Sequence, residues 1–227
     1  MITVKLNDVD YKLPKELTIQ AWQNIVAWDF EVIQNRARIV SAATGAPYDL
    51  LKQLDPDDLE LPTIFIVNLL NQRRPHKHVD FNELTFGQFV DLDVYLSLGV
   101  DKHLGDMVEI LSGHKLLASE ACYIVDQYNQ WRTHIYRSYK TLFGLDEEDF
   151  DNAEESEEPK DKMHIARSWY KTIVGLANDD ILKIDEVTDQ PLKKVLNFMA
   201  LRKEQQLEAN ARELKKKQQY DLQRNRR

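Results

Sequence analysis

Residues 84–99 read LTFGQFVDLDVYLSLG, and this stretch predicts a helix that packs against other helices. Thr85 can cap the helix with its side-chain hydroxyl group, and Gly99 can end it. By the same three- and four-residue spacings, Asp91 and Asp93 are predicted to face solvent. The predicted inward face consists of Phe86, Phe89, Val90 and Val94. The stretch carries no catalytic motif, which favours a scaffold or an interaction protein.

The composition is that of a globular chain with an acidic surface. The sequence has 227 residues, of which 43% are hydrophobic, enough for one core with a smaller element or for two small domains. Its formal net charge of -8 argues against general binding of nucleic acid or anionic lipid. Any basic binding site would therefore have to be local.

The single cysteine and the lack of long apolar runs predict the compartment. Cys122 excludes an intramolecular disulfide framework, fits a reducing cytosol and is expected to be buried. No apolar run approaches the roughly twenty residues that span a bilayer, and the opening residues MITVKLNDVD lack the pattern of a signal peptide. We therefore expect a protein that is made and works in the cytoplasm, without a membrane partner.

The chain is predicted to be α+β, mainly α, with one small β-hairpin at its N-terminus. Alternating apolar residues on either side of Asn7-Asp8 predict the hairpin; they are Ile2, Val4 and Leu6, then Val9, Tyr11 and Leu13. Thr18 is predicted to cap a long helix whose apolar face runs from Ile19 to Ile33. Further helices are expected at about 48–54, 62–70, 104–111 and 119–142.

A change in composition after residue 145 predicts the domain organisation. Residues 146–158, DEEDFDNAEESEE, hold nine acids and no base, with too few apolar groups to offset the entropy of ordering. The predicted order is a hairpin-plus-helices domain over 1–145, an acidic flexible linker over 146–160, a helical C-terminal domain over 161–201 and a projecting basic helical tail over 202–227.

One histidine-containing segment looks like the start of a metal site. His76, His78 and Asp80 alternate as ligands on one side of a strand would, but Phe81 stands where metallo-hydrolases have a closing histidine. This predicts a surface loop, with a hydrolase site as an alternative. The sequence holds no HExxH, Gly-rich phosphate loop or GxSxG motif. We expect a protein that is not an enzyme, with no catalytic residues, no cofactor and no metal.

Aromatic residues supply most of the candidate partner-binding positions. Trp28 and Phe30 are predicted on the less apolar side of the first helix, which favours an exposed contact. Phe86, Phe89 and Trp169 are predicted to provide more apolar surface than the neighbouring short helices can cover. Part of that surface should be reserved for another helix.

The C-terminal tail is the candidate basic site. From Arg202 to Arg227 it holds nine Lys/Arg against four Asp/Glu, including Lys215, Lys216 and Lys217. Such charge can bind phosphate backbones. Acids interrupt the tail, however, and no aromatic ladder accompanies it, which favours a solvated helix that pairs with an acidic or helical protein surface.

Four stretches together resemble the T4-type baseplate hub and tail-assembly proteins of contractile-tailed bacteriophages. They are spread between residues 11 and 201, and none is a catalytic signature. The stretches are YKLPKELTIQAW (11–22), SAATGAPYDLLKQLDPDDL (41–59), LTFGQFVDLDVYLSLGVDKHL (84–104) and WYKTIVGLANDDILKIDEVTDQPLKKVLNFMAL (169–201).

The resemblance implies a non-enzymatic role in tail assembly. Such a protein would help to build the baseplate hub, or would shield the apolar helices of the tape-measure protein as an assembly chaperone. The implied partners are hub or tape-measure proteins, with a second copy of the chain as a further candidate. The implied location is the host cytoplasm during assembly, with a place in the finished baseplate left open. The alternative function is a nucleic-acid-associated helical adaptor that uses the basic tail.

Overall fold

A computed structural model of the protein is mostly helical with a two-stranded antiparallel hairpin at the N-terminus, which confirms the predicted fold class. The structure describes residues 3–6, 9–77, 79–144 and 163–224. The strands are β1 (Thr3–Leu6) and β2 (Val9–Lys12). The helices are α1 (Ile19–Val26), α2 (Arg36–Thr44), α3 (Tyr48–Leu51), α4 (Glu60–Leu70), α5 (Phe86–Leu98), α6 (Val100–Ser112), α7 (Ala118–Ser138), α8 (Lys140–Phe143), α9 (His164–Leu176), α10 (Ile184–Thr188) and α11 (Leu192–Arg224).

The chain divides into two compact units. Unit 1 comprises Met1–Phe81 and Asp91–Gln130, and unit 2 comprises Asn82–Val90 and Trp131–Arg227. Helices α5 and α7 each contribute residues to both units. The predicted acidic linker lies outside the described residues, and the domain boundaries predicted beside it stay predictions.

The hairpin of unit 1 follows the predicted alternation. Val4 pairs with Tyr11 and Leu6 with Val9. Val4 and Leu6 are buried, because side chains two residues apart in a strand share one face. The turn predicted between the two strands lies outside the described residues.

Helix α1 is shorter than the sequence predicted. The backbone N–H of Ala21 donates to Thr18 Oγ1 (3.1 Å), which confirms the predicted cap. The helix ends at Val26, however, and does not continue to Ile33. A turn replaces it, in which a carboxylate oxygen of Asp29 accepts from the N–H of Glu31 at 2.9 Å. Aspartate competes for backbone hydrogen bonds in this way and so ends the helix early.

The core of unit 1 lies between α1, α2, α4 and α6. Helix α1 packs on α2 and α6, and α2 packs on α4. The Trp22 indole N–H donates to the backbone oxygen of Leu70 (3.2 Å), so this buried ring keeps a hydrogen bond. Cys122 is buried as predicted, and burial raises the pKa of its thiol to about 11.

Helix α5 begins and ends as predicted. Thr85 Oγ1 accepts from the N–H of Gln88 (3.2 Å), while the Gln88 side-chain oxygen accepts from the N–H of Thr85 (3.0 Å). This reciprocal pair is a capping box. The helix stops at Leu98, and Gly99 follows with a φ of 113°, a conformation that side chains disfavour.

One part of the predicted α5 pattern is wrong. Asp91 is exposed, but Asp93 is only 1% exposed instead of facing solvent. The neighbouring Val90 and Leu92 are also buried. Helix α5 is therefore buried over a wider part of its circumference than a single apolar stripe would cover. The apolar spacing alone could not predict that Asp93 is buried.

The start of α5 is joined to the start of α11 inside unit 2. The N–H of Phe86 donates to the backbone oxygen of Gln190 (2.8 Å), and the N–H of Leu192 donates to that of Leu84 (3.1 Å). Gly87 permits this approach, because a Cβ atom there would lie 2.9 Å from the Cβ atom of Thr188. These contacts fix the base of the long helix α11.

Candidate partner-binding surface

Three of the predicted partner-binding residues belong to the core of unit 2. Phe86, Phe89 and Trp169 are buried. The ring centroids of Phe86 and Phe89 lie 5.8 and 5.9 Å from that of Trp169, in edge-to-face arrangements. Phe143 adds a third ring at 6.2 Å. The prediction is corrected accordingly: these side chains face one another and are not available to a partner while this packing holds.

The other predicted aromatic pair lies in unit 1. Trp28 and Phe30 are half-buried and follow the end of α1 instead of lying on it. The N–H of Trp28 donates to the backbone oxygen of Ile25 (3.0 Å), so the turn begins directly at the helix end. Their partner-binding role stays a prediction.

Helix α11 carries the predicted basic residues, and its two halves differ in burial. Leu192, Val195 and Leu196 in its first turns are buried. The Tyr139 hydroxyl group donates to Asn197 Oδ1 (2.7 Å) and helps to hold this first half. Residues 201–219 are all exposed, so more than five helical turns have no face covered by the described residues.

The exposed half of α11 presents leucines to solvent. Leu201, Leu207 and Leu214 are 53%, 46% and 58% exposed. Leu207, Ala211 and Leu214 are spaced by four and three residues and so lie on one side of the helix. We call these three residues the α11 stripe. Large apolar side chains in such a row mark an interaction surface more often than isolated ones do.

Charged residues surround the α11 stripe. Lys215, Lys216 and Lys217 are exposed, as predicted for the tail, and Lys217 lies one turn after Leu214. Arg212 pairs with Glu208 at 3.3 Å, with both side chains at least 70% exposed. A pair in that position contributes little stability. The stripe is therefore apolar in its centre and charged at its sides.

A cavity of about 380 Å³ opens at the base of α11 within unit 2. Its apolar wall includes Leu176, Val187, Val195 and Phe198, and Lys194 and Glu186 also line it. Phe198 is exposed at the rim, where the Arg202 guanidinium carbon lies 4.7 Å from the ring centroid. The residues that line it carry no sequence motif that predicts a site.

Beside the cavity-forming helices, one turn projects two aliphatic side chains. Ile181 and Leu182 are 77% and 83% exposed. Asp180 Oδ1 accepts from the N–H of Leu182 (3.1 Å), and its other carboxylate oxygen pairs with Lys183 Nζ (3.2 Å). The hydrogen bond from Lys183 and that from Leu182 hold the pKa of Asp180 below its ordinary value. The turn is thus fixed in a form that leaves both aliphatic residues in solvent.

The histidine-containing loop does not assemble a metal site in the described residues. His76 lies with Nδ1 3.7 Å from a carboxylate oxygen of Glu120, and His78 lies outside the described residues. Among residues 3–6, 9–77, 79–144 and 163–224, no group of His, Cys, Asp and Glu side chains is placed to hold a metal ion. Within the same ranges no helix is long and apolar enough to cross a membrane.

Comparisons with known proteins add no relative. The chain matches no protein-family model, no curated protein and no solved structure. The resemblance to phage tail proteins therefore stays a sequence-based prediction.

The exposed apolar turn and the cavity escaped sequence reasoning for different reasons. The segment Asn178–Asp180 marks a turn, and Asn178 and Asp179 have φ angles of 54° and 60°. That signal was available and could have identified Ile181 and Leu182 as solvent-facing. The cavity depends on packing between α9, α10 and α11, which no local pattern reports.

Proposed function

We propose that this chain is a non-enzymatic assembly factor of a contractile phage tail, which holds a baseplate hub or tape-measure protein through the exposed half of α11. The observation that carries the proposal is the exposure of residues 201–219 together with the α11 stripe. The resemblance of four stretches of the chain to tail-assembly proteins supplies the class of partner.

The energetics of a lone helix support a binding role. Most helical stability in proteins comes from packing one face against a partner, and residues 201–219 have no such packing among the described residues. The α11 stripe offers such a face, and its leucines are the kind of anchors that a helical partner uses. Tape-measure chains are long helices with apolar stripes, as the resemblance implies, and a partner of that kind can cover the stripe along its length.

In this role the protein works in the host cytoplasm during assembly. There it would keep an apolar helical partner soluble until the tail forms around it. The buried rings of unit 2 then serve to hold the base of α11, through the contacts between α5 and the residues around Leu192.

Co-expression tests the proposal. The soluble yield of the tape-measure or hub protein of the same phage is measured with the wild-type chain and with Leu207→Asp/Leu214→Asp. Both leucines are about half exposed, so the fold should survive. We expect the complex to weaken by about 10- to 100-fold, because two apolar anchors are replaced by charges.

A matched control uses Gln205→Asp/Gln219→Asp, which adds the same charge away from the α11 stripe. This variant should bind like the wild type. The proposal fails if the leucine variant solubilises the partner as well as the wild type does, or if neither hub nor tape-measure protein is retained by the wild-type chain.

A nucleic-acid adaptor is the second candidate, favoured by the exposed Lys215, Lys216 and Lys217. Salt separates the two functions. Binding that depends on phosphate contacts weakens steeply between about 50 and 200 mM salt, whereas packing of apolar helices changes little. The adaptor would be favoured by a nucleic-acid complex that Leu207→Asp/Leu214→Asp still forms and that dissociates in moderate salt.

A further inference from the structure

We infer that two copies of this chain associate through unit 2, with the Ile181–Leu182 turn of each copy entering the cavity of the other beside Phe198. The inference concerns a different surface from the α11 stripe. It therefore does not depend on a tail partner.

The two complementary parts lie in the same unit. Ile181 and Leu182 are adjacent aliphatic residues that are more than three-quarters exposed. The cavity of about 380 Å³ is walled by Leu176, Val187 and Val195. Since the chain's own Ile181 and Leu182 remain in solvent, they do not fill its own cavity. A second copy carries the same pair of side chains in the same fixed turn.

A two-fold arrangement satisfies both copies at once. In an isologous interface the same patch is used twice, so a projection and a cavity on one surface can each be matched by the other copy. Two aliphatic side chains suit an apolar cavity near the lower end of the roughly 300–1,000 Å³ range of binding pockets. Both matching surfaces are then occupied, so no third copy can bind through them and the product is a closed dimer.

One exposed acid near the projecting turn and one lysine of the cavity lining carry opposite charges, and the lining also includes Lys183 and Glu186. Asp179 lies two residues before Ile181 and is exposed. Lys194 lines the cavity, and its ammonium group donates to the neutral side-chain oxygen of Gln190 (2.7 Å). When the turn of one copy enters the cavity of the other, Asp179 approaches Lys194 of the opposite copy. The pairing occurs twice in the dimer, and it favours a second copy over an uncharged small ligand.

The order in the projecting turn lowers the entropy that association has to overcome. Asp180 accepts from the backbone N–H of Leu182, so the turn that carries the two aliphatic side chains has its own hydrogen bond before association. Preorganised contacts of this kind improve affinity because less freedom is lost on binding. We expect a weak dimer with a dissociation constant on the order of 1–100 µM, since the interface is small.

Sedimentation equilibrium of the purified full-length protein tests the inference, at concentrations from about 1 to 300 µM. Leu182→Asp should weaken the dimer by at least about 100-fold, because the interface loses the contact twice. Leu61→Asp is the matched control: Leu61 is 72% exposed in unit 1, and its replacement should leave the dissociation constant unchanged. Circular dichroism checks that each variant keeps its helical content.

Charge exchange provides a second, independent readout. Asp179→Lys and Lys194→Asp should each weaken the dimer by about three- to tenfold, because a surface pair is lost twice. The double variant should return to within about twofold of the wild type, since the reversed charges again face each other across the two-fold axis.

Cross-linking covers the case in which a charged variant does not fold. Leu182→Cys/Phe198→Cys should form covalent dimers under oxidation, whereas Leu61→Cys/Phe198→Cys should not. Cys122 is buried and adds little background. A wild-type chain that stays monomeric at the highest concentration overturns the inference. A dimer that Leu182→Asp leaves intact, or a cavity occupied by a small apolar ligand in a monomeric chain, does the same.

Discussion

The ring of Phe89 meets the ring of Trp169 edge-on, with centroids 5.9 Å apart and planes at 89°. The two residues lie on α5 and α9, which are separated by a large part of the sequence, and both are buried in unit 2. Edge-to-face rings contribute about 0.5–1.5 kcal/mol beyond the area they bury. This pair therefore joins α5 to α9 within unit 2.

Phe89→Ala should lower the free energy of unfolding by about 3–5 kcal/mol, because a fully buried ring leaves a cavity. Chemical denaturation measures the change. Tyr170→Ala is the control, since Tyr170 follows Trp169 directly but is exposed, and it should cost less than about 0.5 kcal/mol. Equal effects of the two substitutions would show that the aromatic cluster is not the core of unit 2.

Gly87→Ala should destabilise unit 2 by about 1–3 kcal/mol, because the new Cβ atom would lie 2.9 Å from the Cβ atom of Thr188. Gly175→Ala is the matched helical control. No described atom outside its own helix and chain neighbours lies within 4 Å of that new Cβ atom, and alanine favours a helix by up to about 1 kcal/mol. Thermal unfolding should thus move in opposite directions for the two variants. A stabilising Gly87→Ala would contradict the close approach.

Cys122 should react with a thiol reagent only as fast as the chain unfolds, since burial raises the pKa of its thiol from 9.0 to about 11. The raised pKa means that the folded state disfavours the thiolate. The stability from this group is complete below pH 9 and is lost as the pH rises toward 11. Between pH 9 and pH 11, the free energy of unfolding should therefore fall less for Cys122→Ala than for the wild type. Rapid labelling at pH 8 under native conditions would contradict the burial.

Replacing Lys215, Lys216 and Lys217 by glutamine should weaken a helical protein partner only about two- to fivefold at low salt, because exposed charges contribute little each. The difference should fade near 0.5 M salt. Isothermal titration of the partner at two salt concentrations measures both values. If the lysine variant loses binding that the wild-type chain keeps at about 0.5 M salt, the lysines contribute more to the complex than the α11 stripe does.

Local signals in the sequence were enough for much of the fold. Thr18 and Thr85 cap helices as predicted, and Gly99 follows the end of α5, since these roles depend on residues only a few positions apart. The end of α1 was missed because the turn at Asp29 competes with an apolar pattern that looks helical. Asp93 was misplaced because burial around a helix depends on what packs there and not on spacing alone.

The candidate site was harder to predict than the fold. A row of large apolar residues signals burial and partner binding equally well, and Phe86, Phe89 and Trp169 turn out to pack on one another. The basic tail was correctly predicted as helical through Arg224, because helix propensity is a local property. The cavity could not be predicted, since its wall joins the ends of α9, α10 and α11.

Hydrogen exchange of α11 tests the central claim most directly. Amide exchange in residues 201–219 is measured for the chain alone and for the chain with a co-purified tape-measure or hub protein. We predict fast exchange in the free chain and strong protection in the complex, greatest around Leu207 and Leu214, because the partner covers the α11 stripe. A stable complex in which residues 201–219 exchange as fast as in the free chain would contradict the claim.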